Sequence, residues 1–130
     1  GHAFEALTGY SNTLLHGEAV ALGMVLAFDL SVARSHCQAE DAARLRALLD
    51  AAALPVSMTR IGNGKFDADA LVSAMGQDKK VKAGKMRFVL AEALGTSFLT
   101  DTVAEDDLRA FLVAQGALDK ADTPQERLPQ

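Results

Sequence analysis

The 130 residues fit one domain and are long enough to bury a core, and 49% of them are hydrophobic with no low-complexity tract, so a folded globular body is expected. A net charge of -4 and an aromatic content of 5% exclude a nucleic-acid surface of the usual kind, which needs a basic face and stacking rings. Cys37 has no second cysteine to pair with, which excludes an internal disulfide framework and makes a reducing cytoplasm the expected location.

From the start, His2 to Leu7 reads as the last turns of a helix, with Gly9 as its C-terminal stop. Ser11 to Leu15 is then a short loop. A long helix is expected from Gly17 to about His36. Its first half, Ala19 to Phe28, is apolar all round, as in a helix buried on most faces. That run is also about half of what a bilayer crossing requires, so no membrane partner is expected. Polar residues return with Asp29, Ser31, Arg34 and Ser35, where this helix must reach the surface.

Glu40 to Ala53 carries a helical stripe of Ala43, Leu45, Leu48 and Leu49, with Arg44, Arg46 and Asp50 outside it. Leu54-Pro55 is expected to end it, because a residue before proline is pushed out of the helical region. Gly62-Asn63-Gly64 is a turn, and Asp67 is placed to cap the next helix, with Phe66 and Leu71 at the two positions of a hydrophobic staple. That helix runs through Leu71 and Met75 toward Gln77, before a charged loop from Asp78 to Lys85. Arg87 to Leu90 and Ser97 to Thr100 flank Leu94-Gly95 and read as a β-hairpin. A last helix starts near Glu105, whose acidic first turn suits the helix dipole, buries Leu108, Phe111 and Leu112, and stops at Gly116. The expected architecture is mainly α, one multihelical domain with a single small β-hairpin near the C-terminus. Residues 1–117 form the domain and 118–130, with nothing to bury, a flexible tail.

Two histidines stand out near the start, His2 and His16. His16-Gly17-Glu18 opens the apolar helix, and its residue types suit a metal or acid–base site. Gly17 lets a bulky ligand approach the backbone, and Glu18 sits beside a helix N-terminus. This is not the H-E-x-x-H pattern, and a metal site needs about three or four converging ligands. From spacing alone, a metal ligand and a capping or core histidine both stand open for His16. His36 reads as an exposed histidine. Lys79 and Lys80 can hold an anion by charge, or form a solvated basic turn. Gly62-Asn63-Gly64-Lys65 lacks the spacing and the following hydroxyl residue of a phosphate loop.

Several separated motifs occur in one order: Gly1-His2-Ala3-Phe4-Glu5-Ala6, Leu15-His16-Gly17-Glu18-Ala19-Val20-Ala21-Leu22-Gly23-Met24, Ala53-Leu54-Pro55, Asp78-Lys79-Lys80, Lys85-Met86-Arg87-Phe88-Val89-Leu90 and Leu94-Gly95. Their combination resembles the carboxy-terminal helical domain of the 3-dehydroquinate synthase family, within the sugar-phosphate cyclases, and the likeness extends to about Ala117. The resemblance implies NAD and a divalent metal, zinc or cobalt, in a cleft between this domain and an N-terminal NAD-binding domain. It implies conversion of 3-deoxy-D-arabino-heptulosonate 7-phosphate to 3-dehydroquinate, a lyase step of the shikimate pathway. It also carries a small phosphorylated sugar-acid substrate and a homodimer as expected partners.

Residue by residue, the resemblance assigns His16 to the metal and gives His2 a catalytic place near the substrate phosphate. Lys79 and Lys80 are assigned to that phosphate, and Glu18 supports the metal ligand without binding the metal. The family's other metal ligands, a histidine shortly before His2 and a glutamate, belong upstream of Gly1, as does the dinucleotide loop. With no initiating Met, the chain is therefore expected to be a piece of a longer enzyme and inactive by itself. Two other readings stand beside this one. One is a relative with a different substrate, such as a 2-deoxy-scyllo-inosose synthase or a metal-dependent glycerol dehydrogenase. The other is a free-standing helical protein-interaction module.

Overall fold

The computed structural model describes residues 1–9, 14–76 and 86–119. Its elements are α1 (His2–Leu7), α2 (His16–Ala33), α3 (Ala39–Ala51), a 3-10 turn (Met58–Arg60), α4 (Ala68–Gly76), β1 (Phe88–Ala93), β2 (Thr96–Thr100) and α5 (Glu105–Ala114). The mainly helical domain with one antiparallel hairpin is the architecture expected from the sequence. Part of the expected 11–15 loop, the end of the helix toward Gln77, the charged loop to Lys85 and residues 120–130 lie outside the described residues.

Helix α2 is the centre of the fold. Ala19, Ala21, Leu22, Val25, Leu30 and Ser31 are buried along it, and it packs against α1, α3 and β1. With 18 residues and a mean hydropathy of 1.3 it is long and apolar enough to cross a membrane by composition, which the expectation from Ala19 to Phe28 alone did not register. The same composition serves a core helix. The head of α1 lies directly on α2: a Cβ on Gly23 would come 3.1 Å from the Gly1 nitrogen, and one on Gly1 3.0 Å from the Ala19 carbonyl oxygen. Small residues at this crossing let the two backbones touch.

The opposite side of α1 meets α4. Phe4 packs edge-on against Phe66, ring centres 5.1 Å apart, and both join Leu22, Met58, Leu71, Leu90 and Leu108 in one core. Asp67 caps α4 as its position predicts, accepting a hydrogen bond from the Ala70 N–H at 3.1 Å. Staple residues Phe66 and Leu71 are both buried.

Two helix ends differ from expectation for the same reason. Helix α2 stops at Ala33 rather than near His36, because Ser35 turns left-handed (φ 62°) and the His36 N–H closes on the Ser31 carbonyl at 2.8 Å. Helix α3 stops at Ala51, two residues short of the expected Ala53, because Ala53 does the same (φ 64°) and the Leu54 N–H closes on the Leu49 carbonyl. Both are left-handed C-terminal closures made without glycine, which residue type does not signal. Arg46 of α3 then donates to the Val56 carbonyl at 2.7 Å and pairs with Asp29 of α2, fastening the two helices. Burial pushes the Asp29 carboxyl above its ordinary value even though Arg46 pulls it down.

The β1–β2 hairpin is irregular between Ala91 and Ala93, and it is anchored through a side chain. Ser31, fully buried on α2, donates to the Ala27 carbonyl at 2.6 Å and accepts the Ala91 N–H at 2.9 Å. Asp41 of α3 accepts the Leu94 N–H at the hairpin turn.

The boundary of the domain needs one correction. Leu118 and Asp119, expected to begin the tail, are held. After Gly116 (φ 114°) the chain turns back, the Leu118 N–H donates to the Phe66 carbonyl at 2.7 Å, and Ala68 donates to Leu118. Arg109 of α5 bridges Asp69 and Asp119 at 2.6 and 2.7 Å. Backbone bonds between distant segments leave no mark on local composition, so the sequence read as featureless there.

The Ser31 contact gives a stability expectation. Replacing Ser31 by Ala leaves the Ala91 N–H buried without its acceptor and should cost about 1–3 kcal/mol. A urea-unfolding midpoint equal to that of the parent chain would show that the hairpin is held by packing alone.

Candidate functional site

The sequence-expected site residues sit at the starts of two helices. His2 is the first residue of α1 and His16 the first of α2. Both open onto one groove of about 410 Å³, whose floor is apolar: Met75 from α4, Phe88 from β1, and Leu108 and Phe111 from α5. Val20 and Met24, one turn apart on α2, also line it and are 42% and 41% exposed. The polar groups His2, Glu5 and His16 are thus carried by an otherwise hydrophobic cleft. The groove is open to water at His16, whose side chain is 71% exposed.

Each histidine is placed by its helix. The loop before α2 ends at Leu15 in extended backbone (ψ 152°), and its N–H donates to Glu18 Oε1 at 2.9 Å. Glu18 therefore satisfies a backbone donor at the helix start, half of a capping box, and its charge also faces the positive end of the helix dipole. Its role here is to fix the first turn, on which His16 stands.

A second carboxylate reaches the imidazole itself. Glu5 Oε2 lies 3.1 Å from His16 Nδ1. The His16 side chain is 71% exposed while that of Glu5 is 16% exposed, so the acid is the sheltered partner. Glu5 was not singled out from the sequence. The available signal was its spacing from His2, three residues along α1, which puts both on one helical face.

Lys79 and Lys80 fall outside the described residues. His36 packs edge-on against Phe98 of β2, ring centres 5.0 Å apart, and does not line the groove. Among the described residues no three His, Cys, Asp or Glu side chains gather to hold a metal ion. His16 nevertheless has suitable donor chemistry, since an imidazole nitrogen is a ligand that zinc and cobalt accept. The residues present fit one share of a metal's coordination.

A helical domain that presents imidazole and carboxylate groups at the starts of two packed helices, beside an apolar cleft, defines a site-bearing domain. Comparison with known proteins identifies which one. Residues 1–81 match the family described as 3-dehydroquinate synthase C-terminal, and the chain belongs to that family. It is 50% identical over 111 residues to a 3-dehydroquinate synthase of Jannaschia sp., covering 85% of this chain and 30% of the relative. It is 56% identical over 100 residues to that of Rhodospirillum rubrum, covering 76% and 26%. Against the Caulobacter vibrioides protein of the same name it is 44% identical over 118 residues, covering 91% and 32%. The chain spans about a third of the length of the curated relatives it matches.

The capping role of Glu18 is open to measurement. Glu18→Ala should destabilise the chain by about 1 kcal/mol, since a helix-start acceptor and a dipole partner are lost together. Amide exchange should quicken at residues 15–19 while α3 and α5 keep their protection. Unchanged exchange at the head of α2 would remove the assignment.

Proposed function

We propose that this chain is the metal- and substrate-binding wall of a longer 3-dehydroquinate synthase. That enzyme converts 3-deoxy-D-arabino-heptulosonate 7-phosphate to 3-dehydroquinate with release of phosphate, a cytoplasmic lyase step of the shikimate pathway. The observation that carries the reading is the convergence of His2, Glu5 and His16 on one groove, in a chain of that family.

In the complete enzyme, NAD supplies a hydride acceptor and donor, and a divalent zinc or cobalt ion supplies a Lewis acid. This chain's residues have distinct parts. His16 offers Nε2 as one ligand to the metal. His2 stands at the same groove where the phosphate end of the substrate binds, acting on the reacting end as a proton-handling or hydrogen-bonding group. Lys79 and Lys80 hold the phosphate by charge. Glu18 keeps the first turn of α2 in place, which fixes where His16 starts.

The remaining ligands belong upstream of Gly1, and the NAD site belongs to an N-terminal domain, which would also cover apolar groove residues such as Val20 and Met24. Water exclusion follows from that cover and strengthens the charge interactions the reaction needs. The relatives share a single name, which favours this reading over a 2-deoxy-scyllo-inosose synthase or a glycerol dehydrogenase. A free-standing interaction module gains no support of its own, since the groove carries polar groups with a definite chemical use.

The test is His16→Ala in the complete enzyme. Metal-dependent turnover should fall by at least about 100-fold, as expected when a transition-state charge interaction is lost. Tightly bound metal should be lost and the protein should stay soluble. Isolated chain 1–130 should show neither NAD binding nor turnover. Near-normal turnover in the variant would defeat the ligand assignment, and steady-state activity of the isolated chain would defeat the two-domain reading.

A further inference from the structure

The Glu5–His16 pair joins two helices across the groove, and neither side chain bonds to another among the described residues. Glu18, the nearer carboxylate in sequence, is occupied with the Leu15 N–H. Glu5 Oε2 is 3.1 Å from His16 Nδ1, and the His16 Nε2 makes no hydrogen bond among the described residues. A carboxylate only accepts hydrogen bonds, so the ring nitrogen facing it must carry the proton. In the neutral ring the other nitrogen, Nε2, is then the one with a lone pair.

Three features distinguish this contact from an ordinary surface ion pair. The acid is 16% exposed, so water competes weakly for its oxygens. The two helices that carry the pair are in backbone contact at Gly1, Ala19 and Gly23, so packing sets their separation. The pair also stands on the groove lining, with His2 on the same side of α1 as Glu5.

We infer that Glu5 is a positioning residue for His16: it holds the imidazole as the Nδ1–H tautomer, in a fixed orientation, and so reserves Nε2 for a divalent metal. The inference rests on the reading of His16 as a metal ligand and adds the group that prepares it. A carboxylate behind a ligating histidine also raises the basicity of the opposite nitrogen.

The tautomer can be read without turnover, from long-range proton–nitrogen NMR of the imidazole in this chain above the pH at which the ring is protonated. The parent chain should show His16 with Nδ1 protonated and Nε2 bare. Glu5→Ala should move it toward the Nε2–H form. In the complete enzyme Glu5→Ala should weaken Co²⁺ affinity by about 10–100-fold. Glu5→Gln, whose carbonyl oxygen can still accept from Nδ1–H, should recover part of that loss, and amide spectra should show both variants folded. A parent chain with Nε2 protonated, or a Glu5→Ala variant with unchanged tautomer and Co²⁺ affinity, would overturn the inference. If His16→Ala also leaves Co²⁺ affinity unchanged, the ligand reading itself has failed. If His16→Ala removes the metal while Glu5→Ala does not weaken it, only the positioning role has failed.

Discussion

A helix that is apolar on every face is stable in water only where each face is covered, and α2 imposes that requirement on the whole chain. Its long run from Ala19 to Phe28 has no polar side to offer the solvent. Helix α1, helix α3 and strand β1 each take one side of it, and α4 and α5 close the core behind them through Phe66, Leu71 and Leu108. Burying a large aliphatic side chain is worth about 1.5–3 kcal/mol, so the residues of α2 dominate the drive to assemble. Where cover is incomplete, at Val20 and Met24, the groove begins.

The same constraint places the chemistry. A helix wedged into a core has a fixed start, and His16 is the first residue of that start. Glu18 holds the terminal backbone donor, while Glu5, reaching over from α1, holds the ring. The crossing at Gly1 and Gly23 admits no side chain between the two helices, which is what brings an acid on α1 within hydrogen-bond range of an imidazole on α2. Helix packing and the Glu5–His16 geometry therefore share one contact, and a larger residue at Gly23 would disturb both.

The second structural theme is the use of single polar groups to join elements that apolar packing leaves free to slide. Ser31 fixes the hairpin to α2, Arg46 fixes α3 to α2, and Arg109 fixes α5 to the segments around Asp69 and Asp119. Apolar contact is nondirectional, whereas each of these bonds accepts one geometry. They give the fold its register, and the return of Leu118 onto Phe66 completes the closure.

Local patterns in the sequence determined a good deal. The apolar run of α2, the Asp67 cap, the Gly9 and Gly116 stops, the hairpin around Leu94-Gly95 and the acidic start of α5 are all legible, because each depends on residues within a few positions of one another. The ordered motifs around His2, His16 and Lys79-Lys80 also pointed to the family. The tertiary structure decided what joins residues far apart: Ser31 with Ala91 sixty positions on, Leu118 with Phe66, and above all Glu5 with His16, eleven positions apart on two helices. It also gave Glu18, which the sequence offered only as a support for His16, its physical task at the helix start. Which carboxylate meets an imidazole depends on how two helices cross, and a crossing is set by the shapes that pack between them rather than by the order of residues along either one.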